Sequence, residues 1–116
     1  MGSNELKPLK PYLLSHIVDY VSESVVTLPI LKKKTGTVSI SSIDKGAILV
    51  GKVSPFDQLI QIIDGAAEVI VGAKSTRLST GQIMIIPAHS SNTIKAMERF
   101  KILTIVIKSG YEAFDL

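Results

Sequence analysis

The sequence contains no cysteine and no tryptophan, and only two histidines, His16 and His89. Without cysteine there is no disulfide framework, no thiolate metal site and no cysteine nucleophile, and two imidazoles are too few for a three-histidine metal centre within one chain. Aromatic residues make up 5% of the chain, which leaves few of the stacking platforms that single-strand nucleic-acid binders use. No apolar run approaches the roughly 20 residues needed to cross a bilayer. The opening stretch MGSNELKPLK has no continuous apolar segment of the kind that directs secretion. The expectation is a cytoplasmic protein that partners neither membrane nor nucleic acid. Although the formal net charge is +3, the one dense positive run is Lys32-Lys33-Lys34, followed by Thr35-Gly36-Thr37. That run reads as a solvated hairpin turn between two apolar segments rather than a phosphate-binding surface.

What is present is a balanced globular composition, with 46% hydrophobic and 20% charged residues in 116, enough for one core and one domain. Short apolar runs recur at Val25–Leu31, Thr37–Ile43, Ala47–Val53, Gln58–Ile63, Ala67–Val71, Gln82–Ile86, Asn92–Ala96 and Phe100–Ile107. Their length, spacing and Val/Ile/Thr content predict strands of a sandwich or barrel. Turn signals separate them at Asp44-Lys45-Gly46, Asp64-Gly65, Val71-Gly72-Ala73-Lys74 and Thr80-Gly81. Helical periodicity is never sustained, and only residues 16–22 suit a single helical turn. Pro8 and Pro11 make the start an extended arm over residues 1–16, lying along a sheet edge, ahead of one domain in a chain of residues 1–116. Gln58–Ile63 and Ile102–Ile107 are apolar on both faces, so their sheet needs a second layer on its outer side. That layer comes either from a partner subunit, giving a homodimer, or from the same chain.

The segment Gly46-Ala-Ile-Leu-Val-Gly-Lys52-Val-Ser54-Pro-Phe-Asp-Gln58-Leu-Ile-Gln-Ile-Ile-Asp64-Gly65 has the glycine-to-glycine spacing of the first motif of the cupin superfamily. Farther on, Gly81-Gln-Ile-Met-Ile-Ile-Pro87-Ala-His89-Ser-Ser-Asn92 resembles the second. Over about residues 17–108 the chain is similar to short single-domain bacterial cupins. The resemblance implies an all-β fold, a double-stranded β-helix or jelly-roll barrel of two facing antiparallel sheets with a pocket at its centre. In metal-binding cupins two histidines and a glutamate of the first motif and a histidine of the second hold one divalent ion. Carried over position by position, these fall on Lys52, Ser54, Gln58 and Asn92. An ammonium repels a cation, and a hydroxyl and two amides are weak neutral donors, so neither a metal nor another cofactor is expected.

Alternation along the first motif puts Ile48, Val50, Lys52 and Ser54 on one face, with Gln58, Ile60 and Ile62 returning on it. That face is expected to line the barrel, giving apolar walls and a polar cluster of Lys52, Ser54, Gln58 and Asn92. Lys52 can contact an anionic ligand, serve as a base or Schiff-base former if desolvated, or simply solvate the rim. His89, in the loop after Pro87, either overhangs the pocket mouth, where an imidazole donates or shuttles a proton, or is merely exposed. Asp57 caps a turn or pairs with a lysine, and Glu98 with Arg99 forms a surface pair. Three functions fit. The first is a metal-free barrel that binds a small polar or anionic molecule without transforming it. The second is a metal-independent isomerase or epimerase using Lys52 and His89, and the third a non-catalytic oligomeric interaction protein with a filled barrel.

Overall fold

The structure is a computed structural model that describes residues 5–51 and 53–110. Lys52, the first residue of the polar cluster, therefore lies outside the described residues, as do residues 1–4 of the arm. Nine strands form among the described residues: β1 (Val25–Lys33), β2 (Gly36–Ile43), β3 (Ile48–Gly51), β4 (Gln58–Asp64), β5 (Ala66–Val71), β6 (Lys74–Ser79), β7 (Ile83–Ile86), β8 (Asn92–Ala96) and β9 (Phe100–Ile107). All pairings are antiparallel. They make a five-stranded sheet ordered β1-β2-β9-β4-β7 and a four-stranded sheet ordered β3-β8-β5-β6. The inner faces of the two sheets enclose one core. The all-β, two-sheet reading of the sequence holds.

One strand was not foreseen. β6 reads Lys-Ser-Thr-Arg-Leu-Ser, with a single large aliphatic side chain, so composition gave no strand signal; its pairing with β5, from Val71↔Lys74 to Ala66↔Ser79, supplies the missing order. The lysine run does turn, with Lys34 and Thr35 at the tip, but Lys32 and Lys33 continue β1. Pro29 sits in β1, an edge strand, where the register slips between Pro29 and Leu31. An edge tolerates a residue without a ladder donor.

The inner faces grade from large apolar to small and polar side chains. On β9 the inward residues run Phe100, Ile102, Thr104, Val106; on β4 they run Ile62, Ile60, Gln58; on β8, Ala96, Ile94, Asn92. Phe100, Ile102, Ile62 and Ile43 are fully buried at one end and close it. At the other end Val106, Gln58, Asn92 and Gly51 leave a polar mouth.

Ahead of β1 the chain is pinned to the barrel. Leu6 N–H donates to Ile30 O (3.2 Å) and Lys32 N–H to Glu5 Oε2 (2.6 Å), laying residues 5–6 along β1. A short 3₁₀ turn follows at Leu14–His16, earlier than the sequence suggested. The next residues cross the outer face of the five-stranded sheet, where Ser42 Oγ donates to Asp19 O (2.8 Å) and Lys101 Nζ to Ser15 O (2.6 Å). Val18 and Ile40 are buried on this side although neither belongs to the main core. The chain's own N-terminal segment is therefore part of the second layer that the two-sided strands require.

Candidate functional site at the open end of the barrel

Two loops build the rim of the polar mouth. The β3–β4 loop carries Ser54 and Asp57, and the β7–β8 loop carries Pro87, Ala88 and His89. They are tied together by His89 N–H donating to Ser54 O (2.6 Å) and by Ala88 N–H donating to Asp57 Oδ1 (2.8 Å). Asp57 thus clasps the two loops together, a role between loops that its place in the sequence did not suggest. Ser54 Oγ accepts from Phe56 N–H (3.1 Å), a local turn bond. His89 is exposed and has φ of +66°, a left-handed conformation that non-glycine residues adopt at a cost. The clasp to Ser54 holds it there, so Ser54 and His89 share the rim. Gln58 opens β4 between Ile86 on β7 and Val106 on β9.

Asn92 opens β8 on the inner face, beside Gly51 on β3 and Val71 on β5. It is 6% exposed, and its Nδ2 has no hydrogen-bond partner among the described residues. Its amide lies over Gly51: a Cβ built on that glycine would fall 2.6 Å from Nδ2 and closer still to Oδ1. The glycine is the space that the asparagine occupies. Leaving a buried donor unsatisfied costs about 1–3 kcal/mol.

The face assignment of β3 needs correction. Ile48 and Val50, expected to line the barrel, are 50% and 69% exposed, and it is Leu49 that packs against the core. Alternation was carried back from Lys52 and Ser54, but β3 ends at Gly51, so the phase of the loop does not constrain the strand. On β4 the same reasoning succeeded, with Ile60 and Ile62 in the core. The expected Glu98–Arg99 pair gives way to another contact: the Arg99 guanidinium lies over the Tyr20 ring, 4.6 Å from its centre.

Sequence reasoning missed the wall of the mouth. A cavity of about 300 Å³ opens at the seam between β6 and β7, lined by Val69, Val71, Lys74, Thr76, Met84 and Pro87 among others. Its volume is at the lower end of small-molecule sites. The turn signal Val71-Gly72-Ala73-Lys74 ends where β6 begins, and the alternation Lys74, Thr76, Leu78 puts all three on the inner face with buried Leu78. A second, polar cleft lies at the closed end, among Asp64, Gly65, Thr80, Glu98 and Arg99.

At the level of sequence, no family model and no curated protein matches this chain. Solved structures do. A conserved protein of unknown function from Streptococcus pyogenes is 25% identical over 97% of this chain and 98% of its own, with a TM-score of 0.86. A cupin superfamily protein from Desulfitobacterium hafniense matches 92% of this chain and 97% of its own at 20% identity and TM-score 0.84. This chain has the fold of a small cupin barrel. A cupin 2 conserved barrel domain protein from Leptotrichia buccalis, at 21% identity and TM-score 0.85, matches 96% of this barrel with about half, 52%, of its own length.

The side chains at the family's metal positions do not fit a divalent ion. The described side chains there, Ser54, Gln58 and Asn92, are a hydroxyl and two neutral amides, with no carboxylate or imidazole to offset the dehydration of the ion. Among the described residues no group of three or more His, Cys, Asp or Glu side chains comes together.

Proposed function

We propose that this cupin barrel binds a small molecule with polar or anionic character at its open end, without a metal and without the metal-dependent chemistry of its fold. The observation that carries the reading is the unpartnered, buried Asn92 Nδ2 on the inner face. The cavity at the β6–β7 seam supports it, as does the shift from Phe and Ile to Thr, Gln and Asn toward that end. A barrel filled throughout would serve interaction alone; here Phe100, Ile102, Ile62 and Ile43 close the opposite end, while at the open end buried Ile86 shares its row with Gln58. The protein acts in the cytoplasm as a homodimer, paired through the exposed apolar part of its five-stranded sheet.

Native mass spectrometry of the purified protein, followed by a crystal structure of the same preparation, tests the binding. Extra mass that leaves on denaturation, with density beside Gln58 and Asn92, is the expected result. A mouth closed by its own side chains would move the search for function to the surface. Metal analysis of that preparation should find well under one equivalent of Mn, Fe, Ni, Cu or Zn, and stoichiometric metal would overturn the metal-free reading.

A further inference from the structure

Each sheet ends in two strands with a neighbour on one side only: β1 and β7 in the five-stranded sheet, β3 and β6 in the four-stranded one. Such edges present unpaired N–H and C=O groups, which charge, proline or a covering segment normally shields. Three of the four are shielded in this way. β1 carries Pro29, Lys32 and Lys33, and residues 5–6 lie along it. β6 carries Lys74 and Arg77, and the exposed Ile48 of β3 is paired with Lys95 on β8. β7 reads Ile-Met-Ile-Ile, without charge or proline. Its exposed Ile83 and Ile85 stand beside Gln61 and Leu59 on β4, which are also uncharged.

The register tells which backbone groups of β7 are unused. Ile62 N–H donates to Gln82 O (3.1 Å), and bonded pairs recur at every second residue of an antiparallel ladder. The bonds to β4 therefore come from Met84 and Ile86, opposite Ile60 and Gln58. The N–H and C=O groups of Ile83 and Ile85 point away from β4, where β7 has no neighbouring strand. Across that seam β6 belongs to the other sheet, and the cavity of about 300 Å³ opens between them. Two outward residues flanking one inward residue are their own complement. An antiparallel second β7 centred on Met84 sets Ile83 against Ile85 of the partner subunit, and the reverse, for four backbone hydrogen bonds. The isoleucines exposed by 58% and 64% in each copy then meet on the outer face. Joined to any other edge, β7 of the second copy would stay open; joined to itself, the pair is closed.

We infer that two copies meet edge to edge through β7, merging their five-stranded sheets about a two-fold axis at Met84. This rests on the homodimer reading above and sets how the copies meet. Amide hydrogen exchange of the full chain, read by NMR, tests it without any substitution. The Ile83 and Ile85 amides are expected to exchange at least about a hundredfold more slowly than unstructured amides, whereas stacking of two sheet faces leaves them unbonded. Fast exchange of both in a protein that scatters as a dimer would overturn the edge pairing and leave the homodimer intact; a wild-type monomer would remove both. Ile85→Pro deletes an outward donor that β4 does not use, at an edge position where proline is tolerated. It should scatter as a monomer with the circular dichroism of a folded barrel, and if it fails to fold the exchange measurement decides. Ile107→Lys, on the same face but two strands away, should remain dimeric. A folded Ile85→Pro dimer, or an Ile107→Lys monomer, would count against the edge and for the face.

Discussion

Asn92 and Gly51 form a matched pair whose consequences belong to the scale of single residues. The asparagine is buried because the glycine beside it has no side chain, and its donor is unsatisfied because the neighbours on that row, Val71 and Gly51, offer no side-chain acceptor. Gly51→Ala is expected to destabilise the barrel by about 1–3 kcal/mol, the usual cost of overpacking, read as a lower denaturation midpoint. Combining it with Asn92→Ala should recover most of that loss, since the colliding amide is gone; additive losses in the double variant would show that the clash is not what matters. Ser54 and His89 teach a different lesson. Their side chains suggest chemistry, but the structure joins them by backbone, through His89 N–H and Ser54 O.

At the scale of elements, the closed end rests on the β4–β5 connection, where the chain passes from the five-stranded to the four-stranded sheet, and on the N-terminal segment that crosses behind it. Gly65 has φ of +89°, and a Cβ there would overlap Arg99 O and lie 2.9 Å from Phe100 Cα. Gly65→Ala is therefore strained in backbone and packing together, and a loss of more than about 2 kcal/mol is expected; a variant as stable as wild type would contradict the packing described. Just outside, Tyr20 OH donates to Asp64 Oδ2 (2.7 Å), while Arg99 and Lys101 lie over its ring. Burial, and then the bond to Asp64, push the Tyr20 hydroxyl well above its ordinary range. A raised value means that the folded protein holds this proton more tightly than the unfolded chain. The stabilisation is complete below the ordinary pKa of about 10 and is lost as pH rises beyond it. The stability difference between wild type and Tyr20→Phe should accordingly shrink through alkaline pH; a difference that stays constant to pH 11 would exclude the linkage. Asp44 works in the opposite sense. Backbone N–H groups of Glu23 and Lys45 hold its carboxyl below the ordinary range, so its contribution is present at neutral pH and fades as pH falls below about 4.

At the scale of the whole molecule, one sheet face is only partly covered by the described residues of its own chain. Where the N-terminal segment ends its crossing, Leu31, Ile83, Ile85 and Ile107 remain exposed, Ile85 by 64%, with Leu59 and Ile105 between them. Contiguous exposed apolar surface of this kind marks an interaction site, and pairing of this face with the same face of a second copy would give a closed dimer. Light scattering of the wild type is expected to report twice the chain mass of 12.5 kDa. Ile85→Lys with Ile107→Lys should yield a folded monomer. A wild-type monomer at micromolar concentration would remove the pairing.

Local sequence determined much of the architecture. Runs of alternating Val, Ile and Thr made strands, and the glycines after Asp64 and Thr80 made turns, because those preferences act over a few neighbouring residues. The spacing of Gly46, Gly65, Gly81 and Pro87 carried the cupin resemblance for the same reason. Tertiary structure decided the rest. β6 became a strand only because β5 offered a ladder to a polar segment, and Leu49 rather than Ile48 and Val50 faces inward because the strand stops at Gly51 and the loop restarts the phase. Asn92 came beside Val71 through a pairing between segments about 20 residues apart, which no local rule contains. Composition and periodicity report what a residue prefers beside its sequence neighbours, whereas a site is made by which strands become neighbours in space.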